Sequence, residues 1–395
     1  MRQSHMLHLQ IAGFESDPIA RNWSGCDDAL RPAVLSFDRI SMQQSEPSRQ
    51  IGWGRLIRLS LSVAVVGVIF LYVLPRIVDY GDVIAVMGAM TWFEAATLVV
   101  LAVWNQVTYG LMEMSARPGL NPWQAMKITL VSTAVSNSLP AGAALGVGLQ
   151  TAMYSSFRFA KPDIAISLMT TGVWNTFVKL AMPIVALVLV AIAGEPSGGM
   201  LVASAVGLVV VLAAIGLFAG ALRSEQVALR VGRVMARIAS PVAHLLRRPS
   251  VEDLGPAIVD FRRRTIHLLK GRWGWITSAA VVSHVTLYLL LLLTLRHVGV
   301  SNEEVSWQAA LAAFTFVRLI TVIPITPGGL GVVELGLTAA LVAAGGPEAQ
   351  VVAGVLIFRV LSFVLPIPLG AIAYVFWRKG ATARAQDLSL PVSVG

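Results

Sequence analysis

The chain contains the stretch Leu319-Ile320-Thr321-Val322-Ile323-Pro324-Ile325-Thr326-Pro327-Gly328-Gly329-Leu330-Gly331-Val332-Val333-Glu334, which lies between two apolar arms. It has two prolines, three glycines and one carboxylate, although the residues on either side would suit the hydrocarbon core of a membrane. Lipid cannot hydrogen-bond an open backbone, so non-helical chain at membrane depth needs surrounding protein or a watery cavity. The stretch therefore predicts a helix break that borders a cavity.

A weaker copy of this pattern, Asn137-Ser138-Leu139-Pro140-Ala141-Gly142-Ala143-Ala144-Leu145-Gly146, precedes it by 187 residues when Pro140 is set against Pro327. Two interrupted hydrophobic segments at corresponding positions of two halves point to the binding site of a transporter. Their shorter arms would reach only about 20 Å and about 18 Å as helices, against a hydrocarbon core of about 30 Å. We therefore predict two re-entrant hairpins, Trp123 to Ser156 and Trp307 to Ala343.

Composition places the chain in a membrane. Apolar residues make up 56% of the 395 residues and charged residues only 13%, which is outside the usual range of soluble domains. The net charge of +9 would suggest nucleic acid in a soluble protein. Because the basic residues lie beside the apolar runs, we expect anionic phospholipid as their partner and no nucleic acid. The single cysteine, Cys26, excludes an internal disulfide.

The predicted fold is an all-α polytopic membrane protein with about six full transmembrane helices and the two re-entrant hairpins in an inverted repeat. The full spans cover about residues 56–74, 93–112, 164–192, 200–222, 275–295 and 351–377. Arg and Lys flank the spans so that both termini are expected in the cytoplasm, with the protein in the bacterial inner membrane. The two hairpins then enter from opposite faces.

Three segments follow from this topology: a disordered cytoplasmic tail (1–50), a transporter-like transmembrane domain (51–380) and a cytoplasmic C-terminal tail (381–395). Residues 223–272 of the domain contain eleven Arg or Lys and four Asp or Glu, a net charge of +7. Their spacing suits an amphipathic helix on the inner leaflet, with Arg230, Arg233 and Arg237 on one face. A solvated linker with ordinary topogenic arginines fits as well, and both interpretations stay open.

Three cations lie inside apolar segments: Lys179, Arg318 and Arg359. Each charge at the bilayer centre costs about 2.5–3.5 kcal/mol on insertion scales, so a partner, a cavity or a function must compensate. An anion such as a lipid phosphate is the natural complement, since arginine donates through a forked guanidinium. The alternative is that Arg318 or Arg359 pairs with Glu334, which is either a salt-bridge partner or a proton site.

The candidate substrate-binding set combines these charged residues with nearby amides and with the hairpin tips. Its members are Arg318, Arg359, Lys179, Asn175, Asn137, Pro140, Gly142, Pro327, Gly328, Gly329, Gly331 and Glu334. If a short helix starts near Gly331, its free amides would face a phosphate. His284 is interpreted as a packing residue. We expect no metal, no cofactor and no enzymatic activity, since no catalytic or nucleotide-binding motif is present.

Two segments resemble the lysylphosphatidylglycerol synthase transmembrane-region family: Pro327–Gly336 and Arg359–Gly370. In the bacterial multiple peptide resistance factor, this membrane domain is joined to a soluble aminoacyl-transferase and is associated with flipping aminoacylated phospholipid. The family commonly has an arginine just beyond the first Pro/Gly turn, where this chain has Ala143–Gly148 without a charge. The chain ends 18 residues after Trp377, so no attached synthase domain is expected.

The resulting hypothesis is a flippase or transporter that moves an anionic lipid, a phospholipid or a polyprenyl-phosphate-linked sugar, between leaflets. Two alternatives remain open. One is a non-transporting membrane scaffold for a separate synthase or glycosyltransferase, which would dock on the basic segment. The other is a proton-coupled carrier of a small solute that uses Glu334.

Overall fold

The computed structural model describes residues 80–139, 142–194, 198–227, 229–230, 255–321 and 329–387. They all belong to the larger of two compact units, Arg58–Gly395. Outside the described residues lie the predicted N-terminal tail, the first predicted span at 56–74, and the basic positions Arg233 and Arg237 with their predicted amphipathic helix.

The described chain is helical throughout and contains no strand. Its helices are α1 Tyr80–Gly88, α2 Trp92–Ala116, α3 Pro122–Ser138, α4 Gly142–Ser156, α5 Lys161–Ala193, α6 Gly198–Arg223, α7 Gly255–His297, α8 Trp307–Ile320, α9 Val332–Ala343, α10 Glu348–Arg359 and α11 Pro366–Asp387, with a π-helical turn at Val360–Val364. Helix starts carry side-chain caps: Asn121 accepts from the Trp123 amide and Ser306 from the Ala309 amide.

Four described segments are long and apolar enough to cross a membrane: Trp92–Ala116, Lys161–Ala193, Val259–His297 and Glu348–Gly380. The prediction of an all-helical, multi-pass membrane protein is therefore confirmed for the described residues. Helix α6 covers the span predicted at 200–222.

Helix α7 corrects one predicted boundary. The sequence placed this span at 275–295 after a basic segment that suited either an amphipathic helix or a solvated linker, but the helix already begins at Gly255. Asp260 accepts from Arg263 and Arg264, which stand three and four residues later, at 2.7 Å each. Such pairs stabilise a helix surface, so the basic residues extend the helix beyond its apolar part.

A π-turn interrupts the last predicted span. Pro366 and Pro368 have no backbone N–H, so the preceding turn loses two helical donors. The chain widens there to an i to i+5 pattern, with the Leu365 amide donating to the Val360 carbonyl at 2.8 Å. After this turn the final helix extends to Asp387, into the segment that the sequence assigned to the C-terminal tail.

Helices α3 and α4 form the first hairpin. The Ser136 hydroxyl donates to the Gly142 carbonyl at 3.3 Å, and Gln150 donates to the Ser132 hydroxyl at 3.1 Å. Because earlier residues of α3 meet later residues of α4, the two helices run antiparallel. A Cβ at Gly146 would lie 3.0 Å from the Ser132 carbonyl oxygen, so the glycine allows this close approach.

Helices α8 and α9 form the second hairpin in the same way. A Cβ built at Gly329 would lie 3.3 Å from Thr321, and one at Gly336 would lie 3.0 Å from Val317. This pairing is again antiparallel. The helices end and resume on either side of the two predicted breaks, at Ser138 and Gly142 and at Ile320 and Val332.

Each hairpin packs against the long helix that follows the other hairpin. Helix α3 packs along α11, α8 packs along α5, and the long helices α2 and α7 pack together between them. At the α3–α11 crossing a Cβ on Gly370 would overlap the Leu130 carbonyl oxygen and the Ala134 side chain. In the centre, the Asn105 amide of α2 donates to the Ser283 carbonyl of α7 at 2.9 Å. Each hairpin is therefore in contact with the half of the chain that contains the other hairpin.

Candidate functional site

Two of the three predicted cations come together where α5 packs against α8. Lys179 on α5 and Arg318 on α8 lie close enough for their positive charges to act on each other. Both side chains are partly buried. The Arg318 guanidinium carbon is 5.7 Å from the centroid of the Phe314 ring, one helical turn earlier. In the described part of the chain, no carboxylate forms an ion pair with either cation.

Two buried polar atoms at this cation pair have no hydrogen-bond partner among the described residues. They are Asn175 Oδ1 and Arg318 Nε. Asn175 stands four residues before Lys179 on α5, so the two side chains share a helix face. The pair of cations thus has an unused donor and an unused acceptor beside it.

His284 on α7 also belongs to this cluster, although the sequence favoured a packing role. It is fully buried and within electrostatic range of both Arg318 and Lys179. Its Nδ1 lies 3.0 Å from the Ala280 carbonyl oxygen, while its Nε2 has no partner in the described chain. If Nδ1 carries the proton, Nε2 is a second unused acceptor. The only early signal for His284 was its position inside an apolar span.

Arg359, the third predicted cation, is paired with Glu334. Its Nε donates to Glu334 Oε1 at 2.6 Å, and its guanidinium carbon lies 4.5 Å from the centroid of the Phe363 ring. Glu334 is only 2% exposed. Glu334 is therefore an ion-pair partner, with Arg359 as its cation, while its role as a proton site stays a prediction.

The glycine-rich tip of the second hairpin turns back onto the same carboxylate. Gly329 and Gly331 have φ angles of 70° and 80°, a region that favours glycine. The Gly331 amide donates to Glu334 Oε2 at 2.7 Å. In this conformation Glu334 occupies the Gly331 amide, and the expectation that free amides at this helix start face a phosphate stays a prediction.

The first hairpin contacts the π-turn. The Asn137 side-chain amide donates to the Phe363 carbonyl at 2.9 Å, so Asn137 binds protein backbone. Gly142 is buried where α4 begins against Ser136. Pro140, Pro327 and Gly328, the remaining predicted site residues, lie outside the described residues.

Phe314 on α8 contacts the helix that carries Arg359. Its ring lies under Arg318 and also makes an edge contact with Phe358, with ring centroids 6.4 Å apart. Phe358 immediately precedes Arg359. An aromatic contact therefore joins α8, which carries Arg318, to α10, which carries Arg359. In the described ranges no group of three His, Cys, Asp or Glu side chains has the arrangement of a metal site.

Comparison with known proteins agrees with the resemblance seen in the residues. A family model described as the lysylphosphatidylglycerol synthase TM region matches residues 57–370, well over half of the chain. A search of curated proteins gave no match. The matched range includes both hairpins, the cation pair and the π-turn.

Proposed function

Because the chain belongs to the lysylphosphatidylglycerol synthase transmembrane-region family, we propose that it moves an anionic lipid between the leaflets of a membrane. The lipid is a phospholipid or a polyprenyl-phosphate-linked sugar. The proposal includes six full spans and two re-entrant hairpins that enter from opposite faces as an inverted repeat. Broken helices that meet near the midplane are a recurrent arrangement for alternating access.

One observation carries this proposal: Lys179 and Arg318 are close together and form no ion pair with a described carboxylate. Two like charges in a protein interior raise the free energy of the empty site. A phosphate placed between them removes that repulsion and accepts charge-assisted hydrogen bonds from both side chains. The buried, unpartnered Arg318 Nε would supply one of those bonds.

The unused acceptors favour a head group that also donates hydrogen bonds. Asn175 Oδ1 is one such acceptor, and His284 Nε2 is the other in the tautomer described above. Hydroxyl groups of a glycerol or a sugar would satisfy them, whereas a bare phosphate would not. The site therefore suits a phosphodiester that carries hydroxyl groups, with the acyl or prenyl chains left in the lipid.

The proposed setting is the bacterial inner membrane, with both termini in the cytoplasm. We propose that the chain performs no group transfer of its own. Any synthase or glycosyltransferase that makes its lipid would then be a separate protein.

A leaflet-resolved assay tests this function. Purified protein in proteoliposomes should move a labelled anionic phospholipid, and Lys179→Gln and Arg318→Gln should each slow movement about ten- to a hundredfold, the effect of losing a hydrogen bond to a charged group. Lys179→Arg keeps the charge and should retain most of the rate. Lys270→Gln, on the exposed face of α7, is the matched control for loss of a positive charge and should behave as wild type. Unchanged rates in both site variants would refute the proposed site.

A further inference from the structure

A second buried carboxylate lies away from the cation pair. Glu113 is in the last turn of α2 and is 9% exposed. Its Oε2 accepts from the Tyr154 hydroxyl at 2.7 Å, and its Oε1 accepts from the Gln150 amide at 3.3 Å. Gln150 also donates to Ser132, at 3.1 Å. The Glu113 carboxyl group therefore joins α2 to α4, and Gln150 extends the network to α3.

Glu113 differs from Glu334 in having only neutral partners. Among the described residues, no cation forms an ion pair with it. Arg117, one turn further along α2, pairs with Asp163 of α5 at 2.9 Å. Arg272 of α7 donates to the carbonyls of Met114 and Ser115, at 3.3 and 3.2 Å. The nearby cations are thus engaged with other groups.

The titratable and charged groups around Glu113 come from four helices. They are Arg117 on α2, Tyr154 on α4, Asp163 on α5 and Arg272 on α7, while α3 contributes the neutral Ser132. None of these neutralises a negative charge on Glu113 directly. A buried carboxylate without a cation is costly, and protonation removes that cost.

The hydrogen-bond partners can serve both charge states. The Tyr154 hydroxyl donates to an ionised carboxylate and can rotate to accept from a carboxylic acid. The Gln150 amide offers a donor and an acceptor in the same way. Protonation would therefore rearrange the bonds that hold α2 to α4, instead of simply breaking them.

We propose that Glu113 is a proton-binding site that couples protonation to the position of the first hairpin. A proton from bulk water binds one carboxylate oxygen, and no other covalent bond changes. The Arg117–Asp163 pair is the neighbouring polar group, and the Asp163 side chain is 35% exposed. The use of this proton to drive lipid movement rests on the proposed function, but proton binding itself does not.

Infrared difference spectroscopy on reconstituted protein tests the site without any transport. A pH titration should show a carboxylic acid carbonyl band that is absent from Glu113→Gln. Glu303→Gln, at an exposed loop position, is the matched control and should keep the band. Absence of the band from wild-type protein, or its persistence in Glu113→Gln, would overturn the proposal.

A second variant tests the site in case Glu113→Gln does not fold. Tyr154→Phe keeps the ring and removes one donor to the ionised form, so the acid band should persist to higher pH than in wild type. An unchanged titration in Tyr154→Phe would contradict the geometry on which the site rests. Since neither readout needs lipid movement, a failed transport assay would count against the proposed function and leave the proton site standing.

A separate measurement tests whether protonation of Glu113 is coupled to lipid movement. If lipid movement in proteoliposomes responds to an imposed proton gradient, Glu113→Gln should abolish that response while movement down the lipid gradient continues. A response to the gradient that is equal in wild type and Glu113→Gln would overturn the coupling role.

Discussion

The side-chain amide of Asn137 donates to the backbone carbonyl of Phe363 across 2.9 Å, although the two residues are 226 positions apart. Phe363 lies in the π-turn Val360–Val364, where the regular helix is interrupted. Asn137 therefore binds the backbone at the interruption of the last span. The Phe363 ring lies against Arg359, which binds Glu334. This chain of contacts links the first hairpin to the tip of the second.

Replacing Asn137 should weaken that link. In Asn137→Ala the Phe363 carbonyl loses its donor, and we expect a loss of about 1 kcal/mol in stability. Thermal unfolding in detergent measures it, with the exposed neighbour variant Ser138→Ala as control. Lipid movement should also slow, because the hairpins are then less firmly connected. Identical melting temperatures and rates in both variants would show that the bond has no role.

The stability losses caused by replacing Glu334 and Arg359 should not be additive. Arg359→Ala leaves Glu334 buried without its cation, which typically costs about 3–5 kcal/mol. Removing both charges, in Glu334→Gln with Arg359→Ala, should cost less than Arg359→Ala alone, because no uncompensated charge remains. Unfolding of the single and double variants gives the coupling free energy. A double variant whose loss equals the sum of the single losses would contradict an ion pair.

Replacing Lys179 should raise the stability of the protein and abolish lipid movement. Lys179→Met removes repulsion with Arg318, so we expect the empty protein to become more stable by about 0.5–2 kcal/mol. The same variant should lose lipid movement. Lys270→Met, exposed on α7, should change neither property. A destabilised Lys179→Met protein would indicate that Lys179 has a partner within the protein, which would contradict its role in binding a ligand.

Gly370 should be sensitive to a single methyl group. A Cβ there overlaps the Leu130 carbonyl oxygen and the Ala134 side chain, and overpacking of this kind typically costs about 1–3 kcal/mol. Gly172→Ala on α5 is the matched control, because a Cβ at that position meets nothing within 4 Å. Equal unfolding temperatures for Gly370→Ala and Gly172→Ala would show that α3 and α11 do not cross as closely as described.

The sequence predicted the helix breaks well because their causes are local. Proline and glycine close together in an apolar run disfavour a continuous helix, so the arms that stop at Ser138 and Ile320 could be assigned from the pattern alone, whereas the single Pro183 lies inside α5. The start of α7 could not, because the basic residues before Trp275 also suit a linker. Their pairing with Asp260 becomes evident only once the helix exists.

The candidate site was harder to predict because its partners are distant in sequence. The positions of Lys179 and Arg318 follow from the cost of charge in an apolar segment, but nothing local shows that they meet. Arg359 looked equivalent to them, yet it binds Glu334. Glu113 stands one residue beyond the predicted span at 93–112, and nothing in the local sequence indicates that it is buried. Its burial depends on Tyr154 and Gln150 of the first hairpin.

The central claim is that Lys179 and Arg318 bind the phosphate of a lipid. Cryo-electron microscopy of the protein in nanodiscs containing an anionic phospholipid tests it most directly. We predict head-group density within hydrogen-bond distance of the Lys179 ammonium and the Arg318 guanidinium in wild type, and none in Arg318→Gln. A Lys179 or Arg318 side chain that instead meets a carboxylate of the protein, with no lipid density beside it, would contradict the account.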